Sequence, residues 1–66
     1  MNIIKERRIE LGFSQYDLSK ITGIHQSRLS LIENGYRKLK DDEIKILAKK
    51  LQISEQDFYY DQLNKD

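Results

Sequence analysis

The sequence predicts an all-α fold, one small domain of five short helices, and three observations lead there. Apolar residues recur at helical spacing, most plainly Ile44, Leu47, Ala48 and Leu51 at i, i+3, i+4 and i+7. The chain has no proline and three glycines, and each glycine falls where an apolar pattern stops. Charged residues make up 35% of the chain, enough to solvate the outer faces of short helices around one core. At 66 residues the whole chain reads as a single domain, near the lower size limit for a fold without extra bonds.

Asn2 to Leu11 reads as the first helix, with Ile4 and Leu11 seven residues apart on one face and Ile9 beside them. Arg8, four residues after Ile4, points to that same side, whereas Lys5 and Arg7 fall off it and read as solvated. Leu11-Gly12-Phe13 ends the helix. Ser14 then caps a second helix, with Asp17 completing a weak capping box and Phe13 stapling onto Leu18. Leu18 and Ile21 carry its apolar pattern until Thr22-Gly23-Ile24 interrupts. A third helix starts near His25, turns Leu29 and Ile32 inward, and stops at Asn34-Gly35. Residues 14 to 35 are therefore two short helices joined by a tight turn, a helix-turn-helix.

Asp41 to Leu51 forms the fourth helix. Asp41, Asp42 and Glu43 occupy its first turn, where carboxylates oppose the positive dipole end, and Lys49-Lys50 occupy its last. Ser54 with Asp57, and Ile53 against Phe58, open a fifth helix whose Phe58 belongs to the core. Tyr59, Tyr60 and Leu63 then gather on the tail, residues 54 to 66, with little left to cover them, and such a cluster favours association. The last three residues are expected to fray.

Several classes of function are disfavoured. Without cysteine there is no disulfide and no cysteine-ligated metal, and a single histidine does not make a metal site. No cofactor is implied. Ser27 and Ser30 have no residue pattern that would activate them, so the chain does not read as an enzyme. Apolar runs such as Ile46-Leu47-Ala48 fall far short of the roughly 20 residues a membrane span requires. The net charge of +1 hides an asymmetry: residues 1 to 40 carry eight basic against four acidic residues, and residues 41 to 66 carry four against seven. A net +4 on the motif half and −3 on the tail half is what one phosphate-facing side would require.

The stretch SQYDLSKITGIHQSRLSLIENG resembles the helix-turn-helix of the Cro/C1-type, or XRE, family of phage repressors and their relatives. Ser14-Gln15, Gly23, Gln26-Ser27 and Glu33-Asn34-Gly35 carry the likeness, which extends in weaker form from about Ile4 to about Phe58. It implies a compact five-helix lambda-repressor-like DNA-binding domain, bacterial or phage-encoded and cytoplasmic. The third helix would enter the major groove. Gln26, Ser27, Arg28 and Leu31 face outward there: Gln26 suits adenine, Arg28 guanine or a phosphate, and Leu31 a thymine methyl. His25 stands where the family usually has a serine or threonine cap, so it caps poorly and is available to a base or phosphate.

The resemblance also implies that Gln15, in the first turn of the helix crossing the backbone, bonds a phosphate and braces Gln26, with Ser14 beside it. Asn34 and the basic loop Tyr36-Arg37-Lys38 with Lys40 would add further phosphate contacts. An arginine and a glutamate at the places of Arg8 and Glu33 form a partly buried structural ion pair in the family. Where the family starts its fourth helix with proline and serine, this chain has Leu39 and Lys40, so the cap is expected to move to Asp41.

The function expected is therefore sequence-specific binding of double-stranded DNA by a transcriptional regulator, a homodimeric repressor on an inverted-repeat operator. The dimer would form through Tyr59, Tyr60 and Leu63. No membrane or small-molecule substrate is implied. Two alternatives stay open: an antitoxin-like or restriction-controller protein that also grips a protein partner, and an interaction module on this scaffold that does not bind DNA.

Overall fold

The computed structural model of the chain describes the backbone of residues 2–63 and the side chains of residues 2–60. The expected fraying of residues 64–66 and the side chain of Leu63 lie outside the described residues. The elements are α1 (Ile3–Glu10), α2 (Gln15–Thr22), α3 (Gln26–Glu33), α4 (Asp41–Leu51) and α5 (Glu55–Leu63), with no strand among the described residues.

Each helix contributes to one core. Ile4 comes from α1, Leu18 from α2, Ile24 from the turn, and Leu29 and Ile32 from α3. Ile44, Leu47, Ala48 and Leu51 line α4 at the spacing expected, and Phe58, fully buried, fixes α5 against them. The half-buried Phe13 and Ile53 pack on this core at the starts of α2 and α5. Ile9 and Ile21 do not join it: both are exposed, Ile9 at 59%. Arg8 and Leu11, four and seven residues from Ile4, take the inward face of α1 and turn Ile9 outward.

The helix ends follow local chemistry. Ser14 Oγ accepts from Asp17 N at 2.9 Å and Asp17 Oδ2 accepts from Ser14 N at 3.0 Å, a complete capping box. The Ser14 backbone N–H, with the Ser14 hydroxyl second, holds the Asp17 carboxyl below its usual range. α2 ends at Gly23, whose φ of 78° lies in the left-handed region that favours glycine. The turn is then locked from both sides: Ser19 Oγ donates to the Ile24 carbonyl at 2.6 Å, and Thr22 Oγ1 accepts from Ile24 N at 3.2 Å.

Three sequence expectations are corrected at these ends. Asn2 is outside α1 as its cap: Oδ1 accepts from Ile4 N and Lys5 N, at 2.9 and 3.2 Å. Arg7 is not simply solvated, because its Nε donates to the Leu51 carbonyl at 2.9 Å and so caps the C-terminus of α4. The N-cap of α4 is Lys40, not Asp41. A lysine side chain has no acceptor to offer the first-turn amides, and Glu43 instead reaches back to accept from Lys40 N at 2.8 Å.

Candidate nucleic-acid interface

The C-terminal end of α3 is anchored to α1 and α2 by side chains. Asn2 Nδ2 donates to the Ile32 carbonyl at 3.1 Å. Arg8 Nε and Nη2 donate to the two oxygens of Glu33 at 2.9 and 3.0 Å, and Gln15 Nε2 donates to Glu33 at 3.1 Å. Arg8 Nη1 also holds the Phe13 carbonyl at 2.9 Å, so the guanidinium joins α1, the loop before α2, and α3. The Glu33 side chain is 2% exposed and the Arg8 side chain 11%. The forked bonds to Glu33 raise the Arg8 pKa further. At Gly35, with φ 83°, the chain leaves α3 through a Schellman motif: Tyr36 N donates to the Leu31 carbonyl and Gly35 N to the Ile32 carbonyl.

The start of α3 is capped by His25. Its Nδ1 accepts from Ser27 N at 3.2 Å and lies 2.8 Å from Ser27 Oγ. The expectation of a weak histidine cap is therefore revised, since the ring nitrogen does the work of a serine oxygen. A nitrogen that accepts a backbone N–H carries no hydrogen of its own, so in the neutral ring the hydrogen is on Nε2, a donor on an exposed residue.

With Leu29 and Ile32 buried, α3 presents exposed Gln26, Ser27 and Leu31 in succession, with exposed Asn34 just past its end. Asn34 Nδ2 bonds the Ser30 carbonyl at 2.8 Å and so finishes the helix as well as facing solvent. Arg28 differs from these neighbours. Its Nε and Nη2 both donate to Glu43, the latter at 2.8 Å, and Nη2 also reaches the Lys38 carbonyl at 3.2 Å. Arg28 thus faces α4 and the preceding loop, where the sequence alone had it facing outward with Gln26. This pairing raises the Arg28 pKa, and together with the Lys40 amide it holds the Glu43 carboxyl below its usual range.

Two flanks adjoin this face. At the start of α2, the Ser14 oxygen accepts from Asp17 N within the capping box, and the Ser14 hydroxyl also bonds the Asp17 carboxyl. Gln15 spends one amide hydrogen on Glu33 and not on Gln26, so the expected brace between the two glutamines is absent. Beyond Gly35, Tyr36, Arg37, Lys38 and Lys40 are exposed, while Leu39 turns inward onto the core. Arg37 Nη1 curls back to the Tyr36 carbonyl at 2.9 Å.

The remaining cluster lies on α5. Tyr60 is 70% exposed and Tyr59 42%. The Tyr59 hydroxyl donates to Asp41 at 3.1 Å, which ties α5 to the first turn of α4 and raises the tyrosine pKa. Leu63 belongs to the same helix. No group of acidic residues or histidine suited to a metal occurs among the described residues.

The sequence reading missed Glu43. It treated that residue as one of three first-turn acids, although a glutamate three residues after a helix cap is the position of a capping box. Its second partner, Arg28, is fifteen residues away and carries no local signal.

No curated protein matches the chain. A family model described as helix-turn-helix matches residues 4–58. The span takes in the buried side chains from Ile4 to Phe58, and its members, of Cro/C1 type, are DNA-binding transcription regulators rather than enzymes. The chain, all-helical around a tethered α3, belongs to the Cro/C1-type helix-turn-helix family.

Proposed function

We propose that this protein is a homodimeric, sequence-specific repressor that binds an inverted-repeat operator through α3. The observation that carries the reading is the division of labour on that helix. Its inner side is tied down by Leu29, Ile32 and Glu33, while Gln26, Ser27 and Leu31 stay exposed and commit no side chain to the core. Gln26 has the bidentate amide that fits adenine, Leu31 an apolar surface for a thymine methyl, and Ser27, whose hydroxyl donates to His25 Nδ1, an oxygen that can accept from a base amino group. His25 adds a donor at Nε2.

Phosphate contacts come from both flanks. Gln15 offers its second amide hydrogen at the positive end of α2, with Ser14 beside it. Asn34, Tyr36, Arg37, Lys38 and Lys40 form the other arm, supplying affinity and salt dependence while α3 supplies sequence. Arg28 is left out of this contact set because Nε and Nη2 already face Glu43.

One such helix reads only a few base pairs, and a two-fold pair would read half-sites about 34 Å apart. Tyr59, Tyr60 and Leu63 on α5 are the residues we assign to that pairing. The exposure of Tyr60 also favours a second reading, an antitoxin-like or controller protein whose α5 grips another protein.

Selection from a random duplex pool at low and near-physiological salt tests the proposal. Enrichment of an inverted repeat that survives the higher salt is the expected result. Binding that enriches nothing and vanishes with salt would refute it. Enrichment of a single half-site by a protein that sediments as a monomer would retain DNA reading and remove the homodimer.

A further inference from the structure

We propose that Arg28 is a positioning residue: it fixes the 36–40 loop against α3 and α4 and reads no base. The inference rests on the DNA-binding reading above and assigns a role inside it.

Three bonds converge on one point. Glu43 takes both the Nε and the Nη2 of Arg28, and its Oε1 also accepts from Lys40 N at 2.8 Å. Arg28 Nη2 in turn holds the Lys38 carbonyl at 3.2 Å. The short segment 38–40 is thereby pinned at its first carbonyl and its last amide, on either side of Leu39, which turns onto the core. The cations that face solvent, Arg37, Lys38 and Lys40, sit at or next to these pins. Their reach toward a phosphate is therefore set by a fork rooted in α3 itself.

The charge balance points the same way. A guanidinium chelated by a carboxylate that is 11% exposed adds almost no net attraction for a polyanion. If Arg28 touched DNA, Glu43 would compete for it, and removing Glu43 would strengthen binding. If Arg28 positions the loop, removing Glu43 weakens binding although a negative charge has been deleted. The two roles differ in sign.

The test uses the full chain and the duplex enriched by the wild-type protein. Arg28→Ala and Glu43→Ala are each expected to bind about tenfold more weakly to every sequence, with the salt slope reduced by about 1 to 2 and the enriched bases unchanged. The double variant is expected to lose no more than either single one. Arg28→Lys, which lacks the planar fork, is expected not to rescue. In the free protein, the Lys40 amide of Arg28→Ala is expected to exchange with solvent about tenfold faster while α1 and α2 stay protected.

Glu43→Gln keeps an acceptor for the Lys40 amide and reads out the sign of the affinity change should an alanine variant fail to fold. Tighter binding by either Glu43 variant overturns the proposal. So does one base position that relaxes in Arg28→Ala but not in Glu43→Ala, or unchanged exchange at Lys40. If the wild-type protein enriches no duplex, the functional reading fails, and the exchange measurement alone decides whether Arg28 sets the loop.

Discussion

Two arginine–glutamate forks hold α3, and they differ in depth. Arg8–Glu33 joins α1 to the C-terminal end of the helix with side chains 11% and 2% exposed. Arg28–Glu43 joins its N-terminal half to α4 with side chains 29% and 11% exposed. The bonding is alike, but the cost of stranding one partner is not, because that cost scales with how little water can replace the lost group. The deep fork is therefore expected to matter most for folding and the shallow one for direction. A helix of eight residues with only Leu29 and Ile32 as buried apolar side chains needs both, since its own apolar stripe is too narrow to fix how it points.

The largest effect expected is at the deep fork. Glu33→Ala leaves the Arg8 guanidinium half-enclosed beside the Phe13 carbonyl, and a loss of about 3–5 kcal/mol follows from breaking a buried pair on one side. A domain this small holds only a few kcal/mol in reserve, so denaturant titration of Glu33→Ala should find it mostly unfolded. A well-folded Glu33→Ala would mean that the core alone positions α3.

Arg28→Ala should cost less, about 1–2 kcal/mol, since the removed guanidinium is itself 29% exposed, so that water can take its place, and the Lys40 amide still bonds the Glu43 carboxylate. Glu43→Ala should cost about 1 kcal/mol more than that, because it also strips the Lys40 amide of its acceptor. Equal losses at the two forks, measured in the same titration, would erase the distinction drawn between them.

Acid sharpens the comparison further. Glu43 is held below its ordinary value of 4.5 in the folded chain, so it is more protonated in the unfolded state as pH falls past that value. Its contribution is present above 4.5 and is lost as pH drops through the lower folded-state pKa. Unfolding measured from about pH 6 down to about pH 3 should show a shallower decline in Arg28→Ala than in the wild type. Parallel curves would indicate that the fork does not hold the carboxylate.

The smallest effect is expected at the start of α3. His25→Ser replaces a ring nitrogen by a preferred cap oxygen and should stabilise the fold by about 0.5 kcal/mol, seen as a higher thermal midpoint. A loss of stability there would give the imidazole a packing role that its exposure does not suggest.

The features legible in the sequence were those carried by local spacing. The i, i+3, i+4, i+7 pattern of α4, the Ser14–Asp17 box and the stop at Gly35 need no tertiary information. The Arg8 and Glu33 positions were legible through family resemblance, because nothing local links residues 25 apart in sequence. Ile9 misled because an apolar residue at a helix edge looks the same whether it faces the core or water. The bond from Lys40 N to Glu43 is a local capping contact, whereas Arg7, Arg28 and the Arg28 side of Glu43 could not be read at all. Each takes its role from a partner on another helix, and a charged residue has no periodicity that announces which helix that is.

The most direct test of the account is a titration of isotope-labelled protein with the enriched duplex, following backbone amide shifts. The account predicts that the largest changes fall on residues 25–31, 34–40 and 14–15, with α1 and the exposed Ile9 unmoved. Changes concentrated on α5 around Tyr59 and Tyr60, with α3 silent, would contradict it, because the duplex would then be held by a surface other than the helix-turn-helix.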